Sequence, residues 1–172
     1  MKLKSKTALF LTIFLGISIG VLIKVFILDI ILINGESMEP NFHAGQIALV
    51  NRMAYGLNRP FSDVLMTSWS SPKIGDVVIY MIDDIQVIKR CVAVEGDLLE
   101  YSSDSGYNLT VEGRSFPLTE EQFHRMKDFG SVPEGTVMTI GDNHDVSIDS
   151  RTYGFVSVKN ILGKVICKPT DF

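Results

Sequence analysis

The chain contains 172 residues, which is enough for one folded domain and an accessory segment. Residues 1–24 carry four lysines and no acidic residue, whereas the remainder carries 12 basic and 20 acidic residues and so a net charge of −8. Nucleic acid binding requires a basic surface, so this balance argues against a nucleic acid as the partner.

The first predicted element is a membrane-spanning helix. No charged residue occurs between Thr7 and Ile23. A helix of that length extends about 25 Å, close to the thickness of the hydrocarbon core of a bilayer. The lysines that precede it predict that this end stays in the cytoplasm. A cleavable signal peptide has the same basic and apolar parts, but no small-x-small site follows here, which favours an uncleaved anchor.

The rest of the chain has the pattern of a mainly β fold. Short runs rich in β-branched residues, bounded by Gly, Pro, Asn or Asp, predict strands. The predicted strands are residues 25–33, 46–50, 76–80, 86–94, 136–140 and 162–167. Asp83 and Asp84 predict a tight hairpin turn between the third and fourth of these strands.

One helix is predicted outside the membrane segment, over residues 119–129. Thr119 and Gln122 have the spacing of a capping box at its start. Residues 58–72 and 101–117 are rich in polar and turn-forming residues and are predicted as loops or excursions.

Two cysteines, Cys91 and Cys167, lie in apolar stretches. They are predicted either to pair in an oxidising compartment or to be buried free thiols. Two cysteines alone cannot form a metal cluster.

Ser37 is the candidate nucleophile, because it stands in the run NGESMEP (residues 34–40) shortly after the apolar segment. A serine hydroxyl needs a positioned base, and Lys89 is the best candidate. Alternation within its strand places it on one face with Val87, Cys91 and Ala93. If that face is buried, the pKa of the lysine falls and its neutral amine can accept the serine proton. The alternative is a lysine that points to solvent.

Histidines are the other candidate bases. His43 lies beyond a proline and His124 lies in the predicted helix. His144 is flanked by Asp142 and Asp145, which makes a Ser-His-Asp triad conceivable.

The loop at residues 141–151 is rich in acidic residues and serines. Val146 stands where a calcium-binding loop of the EF-hand type needs an oxygen ligand, so that interpretation fails. Two interpretations remain: a loop held by Asp–Arg pairing that aims Ser147 at a neighbouring group, or a solvated acidic loop.

Four motifs in chain order resemble those of the type I signal peptidases, a family of membrane-anchored Ser-Lys proteases. They are GESMEP at 35–40, GDVV at 75–78, IKRCVAVEGD at 88–97, and GDN at 141–143 followed by Ser147, Asp149, Ser150, Arg151 and Gly154. Together they extend over most of the chain. Two positions depart from the family pattern: Glu95 replaces a proline and Asn41 replaces a threonine.

The resemblance implies roles for particular residues. Ser37 would be the nucleophile, Lys89 the general base and Ser147 a residue that orients the lysine. Asp142, Asp149 and Arg151 would support the site. The walls of the substrate pockets would be Ile31, Ile33, Met38, Phe42 and Ile88, and the substrate would add as a strand beside Gln86–Lys89. The backbone N–H of Ser37 would hold the oxyanion. Some members add a hydroxyl two residues earlier, where this chain has Gly35, so a backbone or water donor must substitute.

The sequence and the resemblance together predict a mainly β, signal-peptidase-like fold of antiparallel sheets with one N-terminal transmembrane helix. We expect a cytoplasmic N-terminus at 1–6, an anchor at 7–24 and an extracytoplasmic catalytic domain at 25–172 with a short accessory insert at about 98–133.

The expected activity is cleavage of signal peptides from exported preproteins after a small-x-small motif. The enzyme would be a monomer in contact with the lipid bilayer of the plasma membrane, with no metal and no cofactor. Two alternatives remain open. One is a dedicated processing peptidase of the pilin-maturation or mitochondrial inner-membrane type, and the other is a non-catalytic membrane-tethered binding domain, in which Ser37 and Lys89 would be far apart.

Overall fold

The computed structural model describes residues 2–59, 65–104 and 106–167. Its first element is the helix α1, Lys2–Phe26. The part from Lys6 to Phe26 has a mean hydropathy of 2.4 and none of it is buried, so by length and composition it can cross a membrane. The helix continues through Val25 and Phe26, where a strand was predicted. Apolar β-branched residues suit a lipid-facing helix as well as a strand, so the pattern alone could not place this boundary.

Twelve strands, two further α-helices and a short 3₁₀ turn make up the rest of the described chain. The strands are β1 Leu28–Leu32, β2 Ile47–Asn51, β3 Gly56–Asn58, β4 Leu65–Ser68, β5 Val77–Ile82, β6 Ile85–Val94, β7 Glu100–Ser102, β8 Asn108–Val111, β9 Arg114–Pro117, β10 Thr136–Ile140, β11 Val156–Ser157 and β12 Ile161–Cys167. The helices are α2 Glu120–Met126 and α3 Ser150–Tyr153, and the 3₁₀ turn is Val158–Asn160.

The main sheet has seven strands in the order β1-β2-β12-β5-β6-β10-β11, and all its pairs are antiparallel. A two-stranded sheet of β3 and β4 and a three-stranded sheet of β7, β8 and β9 accompany it. The predicted fold class, mainly antiparallel β with one N-terminal apolar helix, is therefore confirmed.

Two local predictions are also confirmed. Asp83 and Asp84 form the turn of the β5–β6 hairpin with φ values of 46° and 63°. Positive φ at both central residues matches the twist of a two-residue hairpin. At the start of α2, the Gln122 N–H donates to Thr119 Oγ1 and the Thr119 N–H donates to Gln122 Oε1, which completes the capping box. The helix ends at Met126, three residues before the predicted end.

The prediction of loops at 58–72 and 101–117 is wrong for most of the described residues. The first range contains the end of β3 and all of β4, and residues 60–64 lie outside the described residues. The second range contains most of the three-stranded sheet, whose strands have only three or four residues each. These strands pack Leu109, Val111 and Phe116 against Met126 of α2 in one apolar cluster. Strands this short leave little periodicity in a sequence.

The strand β6 contains a change of register that determines which of its residues pack in which apolar cluster. Met138 of β10 pairs with Ala93, whereas the next residue, Thr139, pairs with Cys91, so one residue of β6 is left over. Val87 and Cys91 pack in the cluster around Tyr80. Ala93 instead packs with Val92 in the cluster that contains Leu109 and Met126. The predicted alternation is therefore right from Val87 to Cys91 and wrong for Ala93, because a β-bulge reverses the faces beyond Cys91.

Candidate active site

The structure brings the predicted nucleophile and the predicted base together. Ser37 lies in the turn that follows β1, and Lys89 lies in the middle of β6. Lys89 Nζ donates a hydrogen bond to Ser37 Oγ at 2.6 Å. The non-catalytic interpretation needs these side chains far apart, so this distance argues against it.

Lys89 is almost completely buried, with an exposed fraction of 4%. Burial lowers the pKa of its ammonium group below the ordinary value, because a charged amine is costly away from water. The nearby carboxylates of Asp149 and Asp142 oppose part of this shift in pKa, and the guanidinium of Arg151 adds to it. The site therefore makes the neutral amine, which is the form that can accept a proton, more accessible than it is for a lysine in water.

The residues after β10 form a rigid loop around this pair. Arg151 donates from Nε and Nη2 to the two carboxylate oxygens of Asp149, each at 2.9 Å, and both side chains are buried. The Gly141 N–H also donates to Asp149, and Arg151 Nη2 donates to the carbonyl of His144. The Asp–Arg pairing expected for this loop is present, and the solvated-loop interpretation does not hold for Asp149 and Arg151.

Asp142 pairs with an arginine that lies outside its loop. Arg90, the residue after Lys89, donates to its two oxygens from Nε at 2.7 Å and from Nη2 at 2.6 Å. Asn41 also donates to Asp142. Arg90 was not singled out as a site residue, yet it connects the base-bearing strand to the loop. Its position beside Lys89 in a strand, on the opposite face, was the available signal.

Ser147 is close to the nucleophile but does not contact the lysine through a hydrogen bond. Its hydroxyl is buried and has no hydrogen-bond partner within the described chain. A Cβ at Gly141 would overlap both Ser147 Oγ and the carbonyl oxygen of Ser37. Gly141 therefore allows the loop to approach the nucleophile. The role of Ser147 in orienting Lys89 stays a prediction.

The backbone conformation at position 35 explains why a glycine stands there. Its φ is +85°, in the left-handed region that favours glycine. Free space surrounds the position that a Cβ would take, so backbone conformation and not crowding disfavours a hydroxyl-bearing residue there. Position 35 therefore supplies no side-chain donor to the oxyanion.

Two clefts meet at Ser37 and Lys89. The small cleft, of about 350 Å³, is lined by five of the six residues predicted to bind substrate. These five are Ile31, Ile33, Met38, Gln86 and Ile88. The sixth, Phe42, is not part of the lining but is buried in the same apolar cluster as Ile31 and Met38.

The large cleft, of about 600 Å³, was not predicted. Ile82, Val87, Val146, Ile148 and Tyr153 supply its apolar walls. Val146 and Ile148 are exposed by 54% and 69%, although both belong to a loop that is otherwise polar. The signal in the sequence was the presence of two apolar residues, Val146 and Ile148, in a loop rich in acidic residues.

The histidines make other contacts. Nδ1 of His144 lies 2.9 Å from the Gly141 carbonyl oxygen, and His43 pairs with Glu39. Neither is among the residues that line the two clefts at Ser37. Among the described residues, no group of three or more His, Cys, Asp or Glu side chains could hold a metal ion.

Comparison with known proteins gives consistent matches. Residues 6–168 match the model of the family described as signal peptidase, peptidase S26. A signal peptidase I of Buchnera aphidicola is 24% identical, over 84% of this chain and 70% of its own. One from Bacillus caldolyticus is 26% identical, over 88% and 85%. The "Probable thylakoidal processing peptidase 2, chloroplastic" of Arabidopsis thaliana is 30% identical over 89% of this chain, which spans 41% of that protein.

Proposed function

Since the chain belongs to the signal peptidase family, peptidase S26, we propose that its serine endopeptidase activity uses Ser37 as nucleophile and Lys89 as general base. The chain cleaves signal peptides from preproteins, as its signal peptidase I relatives are named for doing. The observation that carries the assignment of the dyad is the 2.6 Å contact between Lys89 Nζ and Ser37 Oγ, made by a lysine that is 4% exposed.

The first chemical step is proton transfer. The neutral amine of Lys89 takes the proton from Ser37 Oγ as this oxygen attacks the scissile carbonyl carbon. The Ser37 N–H donates to the oxygen that becomes negative. The lysine, now an ammonium, gives its proton to the nitrogen of the departing mature chain, which leaves an acyl-enzyme on Ser37.

The second half of the reaction uses the same base. Lys89, neutral again, removes a proton from a water molecule that attacks the ester carbonyl, and Ser37 is released with its proton restored. The fixed position of the amine is what makes both transfers efficient. The Asp149–Arg151 pair and the Arg90–Asp142 pair hold the loop and the strand around it.

The open edge of β6 is suited to bind the substrate as an added strand. β5 pairs with β6 from Ile85 to Arg90, whereas β10 begins to pair only at Arg90. Within the described chain, no strand covers residues 85–89 on the β10 side. A peptide there passes between the two clefts, and the small cleft accepts the small residues of a small-x-small motif.

The anchor determines where this chemistry takes place. We infer a single-pass protein of the plasma membrane with its N-terminus in the cytoplasm. Ile30 and Leu32 of β1 and Ile47 of β2 are exposed by 67%, 58% and 49%, and β1 begins two residues after α1 ends. These apolar side chains lie against lipid in this arrangement, which keeps the site at the depth of the preprotein's cleavage site. We expect a monomer, since one chain holds the whole dyad.

The direct test uses the full chain in detergent with a preprotein substrate. Cleavage after the small-x-small motif is expected, and Ser37→Ala is expected to abolish it. Cleavage that continues in Ser37→Ala would contradict the assignment of the nucleophile.

An experiment in the cell can distinguish general processing of signal peptides from a role dedicated to one substrate. Deletion of the gene followed by proteomics is expected to show many uncleaved precursors. Accumulation of a single precursor would favour a dedicated processing peptidase.

A further inference from the structure

The large cleft has no assigned role in the proposed reaction, although it reaches the dyad. Ile85, Val87 and Lys89 of the edge line both clefts. Ile82 and Tyr153 line only the large cleft and pack in the cluster around Tyr80, whereas Ile88 lines only the small cleft and packs in the cluster of Ile31 and Met38. Neighbouring residues of a strand point to opposite faces. The two clefts therefore lie on opposite faces of the sheet at the open edge of β6.

An extended substrate at this edge presents its side chains alternately to the two clefts. The two small residues of a small-x-small motif are separated by one residue, so they share a face and enter the small cleft. The middle residue points the other way, into the large cleft. This step rests on the proposed function, because it needs a substrate bound as a strand beside residues 86–89.

The large cleft combines apolar walls with a negative mouth. Glu36 and Asp83 line it and are exposed. Lys89 is the one basic residue of its lining within the described part of the chain, and this residue is the proposed neutral base. Val146 and Ile148 offer apolar surface that the stem of a long side chain can cover.

We propose that Glu36 and Asp83 make the large cleft a charge-selective site for the middle residue of the motif. A lysine or arginine there lays its methylene groups on Val146 and Ile148 and places its positive end near the two carboxylates. A glutamate of similar length meets the same carboxylates with a like charge. Glu36 and Asp83 are thus specificity residues, and substrates with a basic middle residue are cut faster.

The test uses the full chain in detergent and three peptides that differ only at the middle residue, which is Lys, Gln or Glu. The expected order of kcat/KM is Lys, then Gln, then Glu. For exposed charge pairs we expect a Lys-to-Glu ratio of about tenfold at low ionic strength. About 0.5 M salt should reduce that ratio, because it screens exposed charges.

The variant changes one carboxylate on each side of the cleft, and its control changes the neighbouring carboxylate of the β5–β6 turn. The double variant Glu36→Gln, Asp83→Asn is expected to bring the Lys-to-Glu ratio below about twofold. Asp84→Asn is the matched control, since Asp84 is in the same turn, is also exposed and does not line the cleft. Asn is suited to both positions, because it tolerates the positive φ that each has.

Three results would overturn the proposal. One is equal kcat/KM for the Lys and Glu peptides in the unmodified enzyme. Another is an unchanged ratio in the double variant. The third is a loss of selectivity in Asp84→Asn as large as in the double variant, which would indicate a general surface field. If none of the peptides is cut, the proposed function fails and the inference fails with it, whereas cutting without selectivity contradicts the inference alone.

Discussion

At the scale of single residues, the chemistry depends on how far the fold removes Lys89 from water. A lysine on a surface strand would keep its proton at neutral pH. Here burial lowers the pKa of Lys89, and the nearby carboxylates only partly restore it. The same fold places its amine 2.6 Å from Ser37 Oγ, so the position of the amine and its lowered pKa have one structural cause.

Loss of the amine should remove the activity. Lys89→Ala is expected to lower kcat on the order of 1000-fold or more, since the members of a nucleophile–base pair act as a unit. The measurement is the rate of preprotein cleavage by the purified full chain. Lys159→Ala, at an exposed lysine, is the control and should keep the normal rate. Substantial cleavage by Lys89→Ala would rule out this base.

The pH–rate profile should report the lowered pKa. Activity needs the neutral amine, so kcat/KM rises with pH and levels off above the pKa of Lys89 in the free enzyme. We expect that midpoint below the 10.5 of an ordinary lysine. A midpoint at the ordinary value would contradict the buried base.

Asp142 provides a test of the cause of this pKa. Its carboxylate raises the pKa of Lys89, so Asp142→Asn should move the midpoint of the pH–rate profile to lower pH. Asp145→Asn, at an exposed position of the same loop, should leave the midpoint in place. A shift to higher pH in Asp142→Asn would show that the electrostatic account is wrong.

At the scale of elements, the loop that follows β10 connects the nucleophile to the base. The Asn143 N–H donates to the carbonyl of Ser37 at 3.0 Å, and Asp142 is bound by Arg90 of β6. Gly141 allows this approach because it has no side chain. Hydrogen bonds therefore connect this loop both to Ser37 and to the strand that carries Lys89.

Gly141→Ala should disturb that connection. The added methyl group overlaps Ser147 Oγ and the carbonyl oxygen of Ser37, so we expect a loss of stability of about 1 to 3 kcal/mol. A displaced nucleophile should also lower kcat/KM by about tenfold to a hundredfold. Gly130→Ala is the matched control, because open space surrounds that position. Unfolding by denaturant and peptide cleavage measure the two effects, and normal values of both in Gly141→Ala would refute the close approach.

The Asp149–Arg151 pair gives a separate stability prediction. Arg151→Ala leaves the fully buried carboxylate of Asp149 without its cation, which costs about 3 to 5 kcal/mol. The free energy of unfolding should fall by that amount, whereas Arg59→Ala, at an exposed arginine, should change it little. A loss no greater than that of the control would mean that water or another group replaces the arginine.

At the scale of the whole molecule, the apolar helix is joined to the main sheet by a very short connection. α1 ends at Phe26 and β1 begins at Leu28, so one residue separates the membrane helix from the sheet. Ser37 follows β1 by five residues. In the proposed arrangement, Ser37 is therefore held at a short distance from the bilayer, where a cleavage site would emerge from the membrane.

The orientation of the anchor can be tested in whole cells. Protease added outside the plasma membrane should digest the domain that follows residue 26. Replacement of the lysines at positions 2, 4 and 6 by Gln should increase the fraction that is protected, because positive charge retains the N-terminus in the cytoplasm. Replacement of three exposed lysines of the catalytic domain is the control. Complete protection of the unmodified protein would reverse the proposed topology.

The sequence by itself determined the features that depend on local pattern. Short runs rich in β-branched residues predicted the strands of the main sheet except β11, Asp83-Asp84 predicted the hairpin turn, and Thr119 with Gln122 predicted the capped helix. An apolar run without charge predicted the anchor. Each of these signals arises from neighbours in the chain, so tertiary contacts were not needed to recognise them.

Only the tertiary structure decided what depends on contacts between distant segments. It buried Lys89 and placed its amine within hydrogen-bond distance of a serine 52 positions away. It also paired the carboxylate of Asp142 with the guanidinium of Arg90. It also opened the large cleft between the β5–β6 hairpin and the loop of Val146 and Ile148. Burial, the pKa that follows from it and the shape of a cleft are properties of packed surfaces, and no single stretch of sequence contains them.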